Sequence, residues 1–292
     1  MNTDTAATLT ACGLDPQTVA RVVRDALAED LGPDGVDVTS TATIPADRTG
    51  TAELVARAGG VLAGAAVATA VFEEVDPACT LTWSVRDGDP VTPGQVLATV
   101  HGRLRALLTA ERTALNLLCR MSGVATHTRA WAEALAGSKA RVLDTRKTTP
   151  GLRALEKYAV RAGGGENKRM GLYDVAMVKD NHVRAAGGVA EAYRLVRQAY
   201  PDVPIQVEVR TLAEAEAAVA AGATFLLCDN MRPEELRRVV AAVGDRAELE
   251  ATGGLTLSVV REYAATGVDY LSVGALTHSS PILDIAMDLR GD

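Results

Sequence analysis

The sequence predicts an α/β protein. Its C-terminal part is a parallel sheet closed, or nearly closed, into a barrel, and a smaller β-rich domain precedes it. Three observations carry this reading. After Lys139, apolar strand candidates end at Asp144, Lys179, Glu208, Asp229, Glu250 and Gly274. A helix-like stretch follows each, which is the alternation that builds parallel sheets. Two of those helices announce their starts: Thr211-Leu212-Ala213-Glu214 has capping-box spacing, and Pro233 opens Glu234-Glu235-Leu236. Finally, the 292 residues are 48% hydrophobic but only 3% aromatic, so the core must be Ala, Val and Leu. Six strands are clear in this pattern. Either a further one lies near Ala110–Gly123 or the barrel is incomplete.

The elements follow in order. Asp15-Pro16 opens a helix through Val22, Ala26 and Leu27 that ends near Gly32-Pro33. Asp37-Val38-Thr39-Ser40 begins an extended region. Thr51 to Ala58 alternates as a strand, and Gly59 to Gly64 leads into an Ala/Val helix reaching Phe72. Short strands follow at Leu81–Val85 and Val96–Gly102. The segment Val85 to Gly102 resembles half of a biotinyl or lipoyl carrier domain, but a carrier needs a lysine on an exposed hairpin tip. No lysine occurs before Lys139, so a β-rich support domain is the better reading. From Leu104 the pattern becomes a long helix through Leu107, Leu108, Ala114, Leu115 and Leu118, with Arg112 and Asn116 four apart on one face.

Function concentrates in residues 140–182. Two apolar runs there stop on charge, and Gly163-Gly164-Gly165 lies between them. Arg146, Lys147, Lys168, Arg169 and Lys179 come from this one stretch. A solvated basic surface is the bland alternative. Cations that follow buried-type strands and glycines fit better as a cluster converging on a strongly anionic small molecule. The net charge of −7 argues against nucleic acid as a partner. Cys12, Cys79, Cys119 and Cys228 are widely spaced, without CxxC, as in a reduced cytoplasmic protein. The N-terminus lacks the basic start and apolar core of a signal peptide, and no apolar stretch is long enough to span a membrane. Near the end, Thr252-Gly253-Gly254 and Val273-Gly274-Ala275 close the last two strands, with Thr277, His278 and Ser279 just beyond. Such loops suit a phosphate.

The segments ERTALNLLCRMSGVAT, DTRKTTPGLRALEKYAVRAGGGENKRMGLYD, MVKDNH, VEV, LLCDN, EATGGL and YLSVGALTHS occur together and in order. On them, the chain resembles the quinolinate phosphoribosyltransferases. The resemblance implies an N-terminal α/β sandwich domain (residues 1–115) and an open (α/β) barrel of the type II phosphoribosyltransferase kind (116–281). A C-terminal helix (282–292) would pack back on the N-terminal domain. The implied reaction joins quinolinate to phosphoribosyl pyrophosphate, with Mg²⁺, giving nicotinate mononucleotide, pyrophosphate and carbon dioxide. A homodimer with sites shared between subunits is implied as well, Arg112 reaching the neighbour's site.

The chemistry assigns roles on that basis. Quinolinate, a dicarboxylate, needs positive sockets, which Arg146, Lys168, Arg169 and Arg112 supply, with Thr145 beside them. The 5-phosphate suits Thr252, Gly253, Gly254, Val273, Gly274 and Ala275. The pyrophosphate suits Lys147 and Lys179 with Mg²⁺. Glu208 and Asp229, ending adjacent strands, would hold ribose hydroxyls or Mg²⁺ and stabilise positive charge at the anomeric carbon. For either carboxylate, a rim ion pair with Lys179 or Arg146 is the plain alternative. Lys147, Lys179, Glu208 and Asp229 form the expected catalytic group. Two departures stand out: Lys168 occupies a position where the family usually has histidine, and Thr252 one where serine is common. Two related activities remain open, a phosphoribosyltransferase that takes nicotinate without decarboxylation and a paralogue associated with molybdenum uptake.

Overall fold

The computed structural model describes residues 1–291. In chain order its elements are α1 (Thr3–Ala11), α2 (Pro16–Leu31), α3 (Val38–Thr43), β1 (Thr49–Ala56), β2 (Gly60–Val61), α4 (Ala65–Val75), β3 (Thr80–Trp83), β4 (Pro90–Val91), β5 (Val96–Arg103) and α5 (Leu104–Ala134). There follow β6 (Arg141–Leu143), α6 (Arg153–Ala162), β7 (Ala176–Val178), α7 (Asp180–Ala186), α8 (Val189–Ala199), β8 (Ile205–Val209), α9 (Leu212–Ala220), β9 (Phe225–Asp229), α10 (Pro233–Val243), β10 (Glu248–Thr252), α11 (Val260–Ala264), β11 (Tyr270–Ser272), α12 (Ala275–His278) and β12 (Ile285–Leu289). They form two compact units. The first holds residues 1–129, 148–164 and the segment from Thr277 on; the second holds 130–147 and 165–276. The expected break at 115/116 falls inside α5, which runs on unbroken.

In the first unit an antiparallel sheet, ordered β12-β1-β5-β3, carries the core. α2 forms where its caps predict: the Asp15 carboxylate accepts from the Gln17 and Thr18 amides, and Gly32 stops the helix at φ 66°. Its buried residues Val19, Val22, Val23 and Leu27 recur at helical spacing. Two expectations are corrected here. The region after Asp37 is helical, because its carboxylate accepts the Ser40 amide at 3.0 Å and caps α3. The C-terminal segment expected as a helix is the strand β12, paired antiparallel with β1 from Ala52↔Leu289 to Ala56↔Ile285. It does return to the N-terminal sheet. Its approach passes so close to α5 that a Cβ on Gly123 would lie 2.0 Å from the Pro281 carbonyl oxygen. Glycine is required there by close approach.

The second unit is the α/β barrel, six parallel strands ordered β6-β11-β10-β9-β8-β7. Each of the six strands read from the sequence is met, although β10 runs on to Thr252, past the expected end at Glu250, and β11 stops at Ser272, short of Gly274. The possible extra strand at Ala110–Gly123 is instead part of α5. Beyond β6 the sheet continues through one further contact, a parallel bridge between Leu143 and Glu166. Among the described residues no ladder joins that segment to β7, so the barrel is open. Register decides what faces its interior. Glu208 pairs with Leu227, Leu227 with Glu250, Thr252 with Ser272, and Ser272 with Leu143. Side chains at paired positions share a face and recur every second residue. Gln206, Glu208, Asp229, Glu250, Thr252 and Ser272 therefore point to one side, and through the bridge so does Lys168.

Candidate active site

The C-terminal strand ends collect opposite charges in two groups. Glu208 and Asp229 leave β8 and β9 largely buried, with side chains 10% and 17% exposed. Lys179 lies 3.3 Å from one oxygen of Glu208. Arg210 stands between the carboxylates: its Nη2 is 3.8 Å from Glu208 and 3.4 Å from Asp180, and its Nε donates to Asp229 at 3.3 Å. The plain expectation for Glu208, an ion pair with Lys179, is thus present, and Arg210 adds a cation that sequence reasoning missed. Asp180 and these carboxylates hold the Arg210 guanidinium's pKa above its ordinary value.

The predicted cations converge in part. Burial pushes the Arg169 pKa down, and Arg146 pushes it further, so these two guanidiniums feel one another. Arg169 also donates to the Val175 carbonyl at 3.0 Å. Burial likewise lowers the Lys168 pKa; Glu250 opposes that shift while Arg169 and Lys179 add to it. Like charges crowded at strand ends make a strong anion site. Lys147 is exposed, and its amide donates to Thr145 Oγ at 3.0 Å. Lys168 departs from expectation. Its ammonium is directed into the barrel, 2.6 Å from Glu250 Oε1, with the two side chains 6% and 0% exposed.

The first glycine loop has a backbone that favours glycine at both positions. Gly253 and Gly254 have φ of +99° and +60°. A Cβ on Gly253 would meet Asn230 Oδ1 at 2.3 Å. Asn230 itself takes a left-handed φ of 55°, donates its backbone N–H to the Thr252 carbonyl at 2.9 Å and its Nδ2 to Asp229 at 3.0 Å. The turn after β9 is thereby docked on the turn after β10. The second loop differs from expectation at Val273. Its amide donates to the Leu143 carbonyl at 2.9 Å and its side chain is buried, so it packs the sheet and offers an anion no donor. Gly274 and Ala275 follow it into α12. Arg112 lies in the first unit, exposed on α5, as does Asn116.

Magnesium would fit here as far as donor chemistry goes. Glu208 and Asp229 offer hard oxygens, and Mg²⁺ commonly takes one or two carboxylates and completes its shell with substrate phosphates and water. No group of three or more potential metal-ligating side chains occurs among the described residues.

The family model described as quinolinate phosphoribosyl transferase, N-terminal domain, matches residues 37–122, and that for the C-terminal domain matches 124–288. The chain is 50% identical over 272 residues to the nicotinate-nucleotide pyrophosphorylase [carboxylating] of Mycobacterium leprae, covering 91% of this chain and 95% of that one. It is 42% identical over 287 residues to a quinolinate phosphoribosyltransferase [decarboxylating] of Nicotiana tabacum, covering 92% and 81%. Among solved structures, the nicotinate-nucleotide pyrophosphorylase from Francisella tularensis superposes with a TM-score of 0.90 at 35% identity, covering 94% of this chain and 96% of that one.

Proposed function

Since this chain belongs to the quinolinate phosphoribosyl transferase family, we propose, as the reaction it carries out, transfer of the phosphoribosyl group of phosphoribosyl pyrophosphate to quinolinate with decarboxylation. The products are nicotinate mononucleotide, pyrophosphate and carbon dioxide, a step of NAD biosynthesis. The observation that carries this reading is the pairing of two opposite charge groups at the strand ends. The guanidiniums of Arg146 and Arg169 repel each other, and the largely buried carboxylates of Glu208 and Asp229 lie at the ends of β8 and β9.

The guanidiniums of Arg146 and Arg169 bind the dicarboxylate, orienting its ring nitrogen toward the anomeric carbon. Thr145 and Lys147 border that socket. Gly253 and Gly254, with Thr252, Gly274 and Ala275, receive the 5-phosphate, and Lys179 the pyrophosphate. As the ring nitrogen bonds to the anomeric carbon, the bond to pyrophosphate breaks and its electron pair departs with the leaving group. Glu208 and Asp229 face the positive charge that develops on the ribose. The pyridinium so formed stabilises the electron pair left at C2 when the adjacent carboxylate departs as carbon dioxide, and that carbon then takes a proton. Mg²⁺, held by Glu208, Asp229 and phosphate oxygens, would neutralise pyrophosphate charge. Arg210 lies against both carboxylates.

Arg112 contributes from the partner subunit of a homodimer, on the family's pattern. The cytoplasm is the proposed location, and four free cysteines suit its reducing conditions. The test is incubation of the protein with phosphoribosyl pyrophosphate, Mg²⁺ and either quinolinate or nicotinate. Nicotinate mononucleotide with carbon dioxide from quinolinate alone is expected. Product from nicotinate alone would move the enzyme to the non-decarboxylating activity.

A further inference from the structure

Lys168 and Glu250 form an ion pair in the barrel interior, and neither belongs to the expected chemistry in the place it occupies. The pair is 2.6 Å long and almost dry. Both ends are fixed. On one side the Asp144 carboxylate, fully buried, accepts the Lys168 backbone N–H at 2.8 Å and the Asn167 side-chain amide at 2.6 Å. The same short segment is zipped to β6, since Glu166 donates to the Val142 carbonyl at 2.9 Å and Asp144 donates to the Glu166 carbonyl at 3.2 Å. Arg169 is the next residue. On the other side Glu250 lies in the middle of β10, two residues before Thr252 and the Gly253-Gly254 turn. Its second oxygen, Oε2, is buried with no hydrogen-bond partner among the described residues. Burying a carboxylate with half its capacity unmet is costly, and so is burying an ammonium. A hydrophobic pair would fill this space at less expense, so a geometric task is the better account of the charges.

We infer that Lys168 is a positioning residue: its bond to Glu250 spans the barrel interior and ties the segment presenting Arg169 to the strand presenting Thr252-Gly253-Gly254. The pair sets the distance between the carboxylate socket and the phosphate loop, and so the approach of the ring nitrogen to the anomeric carbon. Lys168 does not itself hold a substrate carboxylate. This rests on the proposed function and refines it.

The two roles predict opposite responses at Glu250. If the ammonium contacted quinolinate, Glu250→Gln would release it toward the substrate and tighten binding, while Lys168→Met would weaken it. If the pair is a brace, both substitutions break the same link, and both weaken quinolinate. Quinolinate affinity is measured by calorimetric titration on wild type, Lys168→Met, Glu250→Gln and the paired variant Lys168→Gln/Glu250→Gln, with melting temperatures recorded so that only folded protein is compared. The paired variant keeps a hydrogen bond across the interior and strands no charge. Each single substitution is expected to weaken binding about tenfold, the scale of one lost charge-assisted contact, and the paired variant to recover most of it. Should Lys168→Met fail to fold, Glu250→Gln and the paired variant still decide. Tighter or unchanged binding in Glu250→Gln, or a paired variant no better than a single one, overturns the assignment. Wild-type protein that does not bind quinolinate would instead refute the function itself, before any variant is compared.

Discussion

Arg169 gives up hydration to stand where it does, beside a second guanidinium that repels it. Such an arrangement is tolerable in a site that will hold an anion, because the ligand restores the missing counter-charge. Arg146→Ala and Arg169→Ala are each expected to weaken quinolinate binding by about ten- to a hundredfold, the range for a lost hydrogen bond between charged groups. Calorimetry on folded variants checks this, and unchanged affinity would remove the residue from the socket. Gly253 makes a different kind of prediction. With φ at +99° and Asn230 at 2.3 Å from any Cβ, Gly253→Ala must push the two strand-end turns apart. Phosphoribosyl pyrophosphate should bind more weakly while quinolinate binding changes little, read by titrating each separately.

Arg146, Glu208 and Asp229 were legible because each lies at or just beyond the end of an apolar strand, and Arg169 because it shares one short stretch with the other cations. Arg210 and Asn230 obey the same rule, yet nothing local separates them from ordinary loop residues. Their importance lies in what they meet: two carboxylates for Arg210 and the neighbouring turn for Asn230. The charge of Lys168 is visible in the sequence and by itself suggests a substrate cation. Where that charge points depends on the parity of a bridge between Leu143 and Glu166, which only tertiary pairing defines.

Among elements, the six barrel strands and the long α5 were readable from periodicity. β12 was not, since five residues of mixed polarity satisfy either period, and pairing with β1 decided for strand. α3 escaped because its β-branched residues suggest extension, while one capping carboxylate settles it as helix. α5 depends on a missing side chain at Gly123, against the backbone of Pro281 and Ile282. Gly123→Ala should destabilise the fold by about 1–3 kcal/mol or more, as overpacking against backbone does, and thermal unfolding measures it. At the C-cap of α4, the Arg103 guanidinium hydrogen-bonds the buried Asp76 carboxyl at 2.7 Å and holds its pKa below the ordinary value. A carboxyl depressed in the folded state adds stability above its unfolded pKa, near 3.9, and loses that stability as pH falls through the folded value. Melting temperature followed into acid should therefore fall less steeply from its neutral-pH value in Asp76→Asn than in wild type, with the variant starting lower at neutral pH.

At the scale of the whole molecule, the proposed sharing of sites is open to a mixing experiment. Arg112→Ala and Lys147→Ala proteins, each inactive alone, should regain part of the wild-type activity when their subunits exchange, because a mixed dimer contains one intact site. Demonstrated exchange without recovered activity would confine Arg112 to its own chain. The strand orders carry a separate consequence, for synthesis. β1 waits for β12, translated most of a chain length later, and β6 for β11, translated only after four intervening strands. Both sheets therefore reach the ribosome exit with an unfilled edge, and neither can finish until Tyr270 and then Ile285 have emerged. Non-local pairing of this kind slows folding and leaves bare strands open to misassociation. A nascent chain stalled before β11 should be a strong client for chaperones and readily cut by proteases, in both units at once.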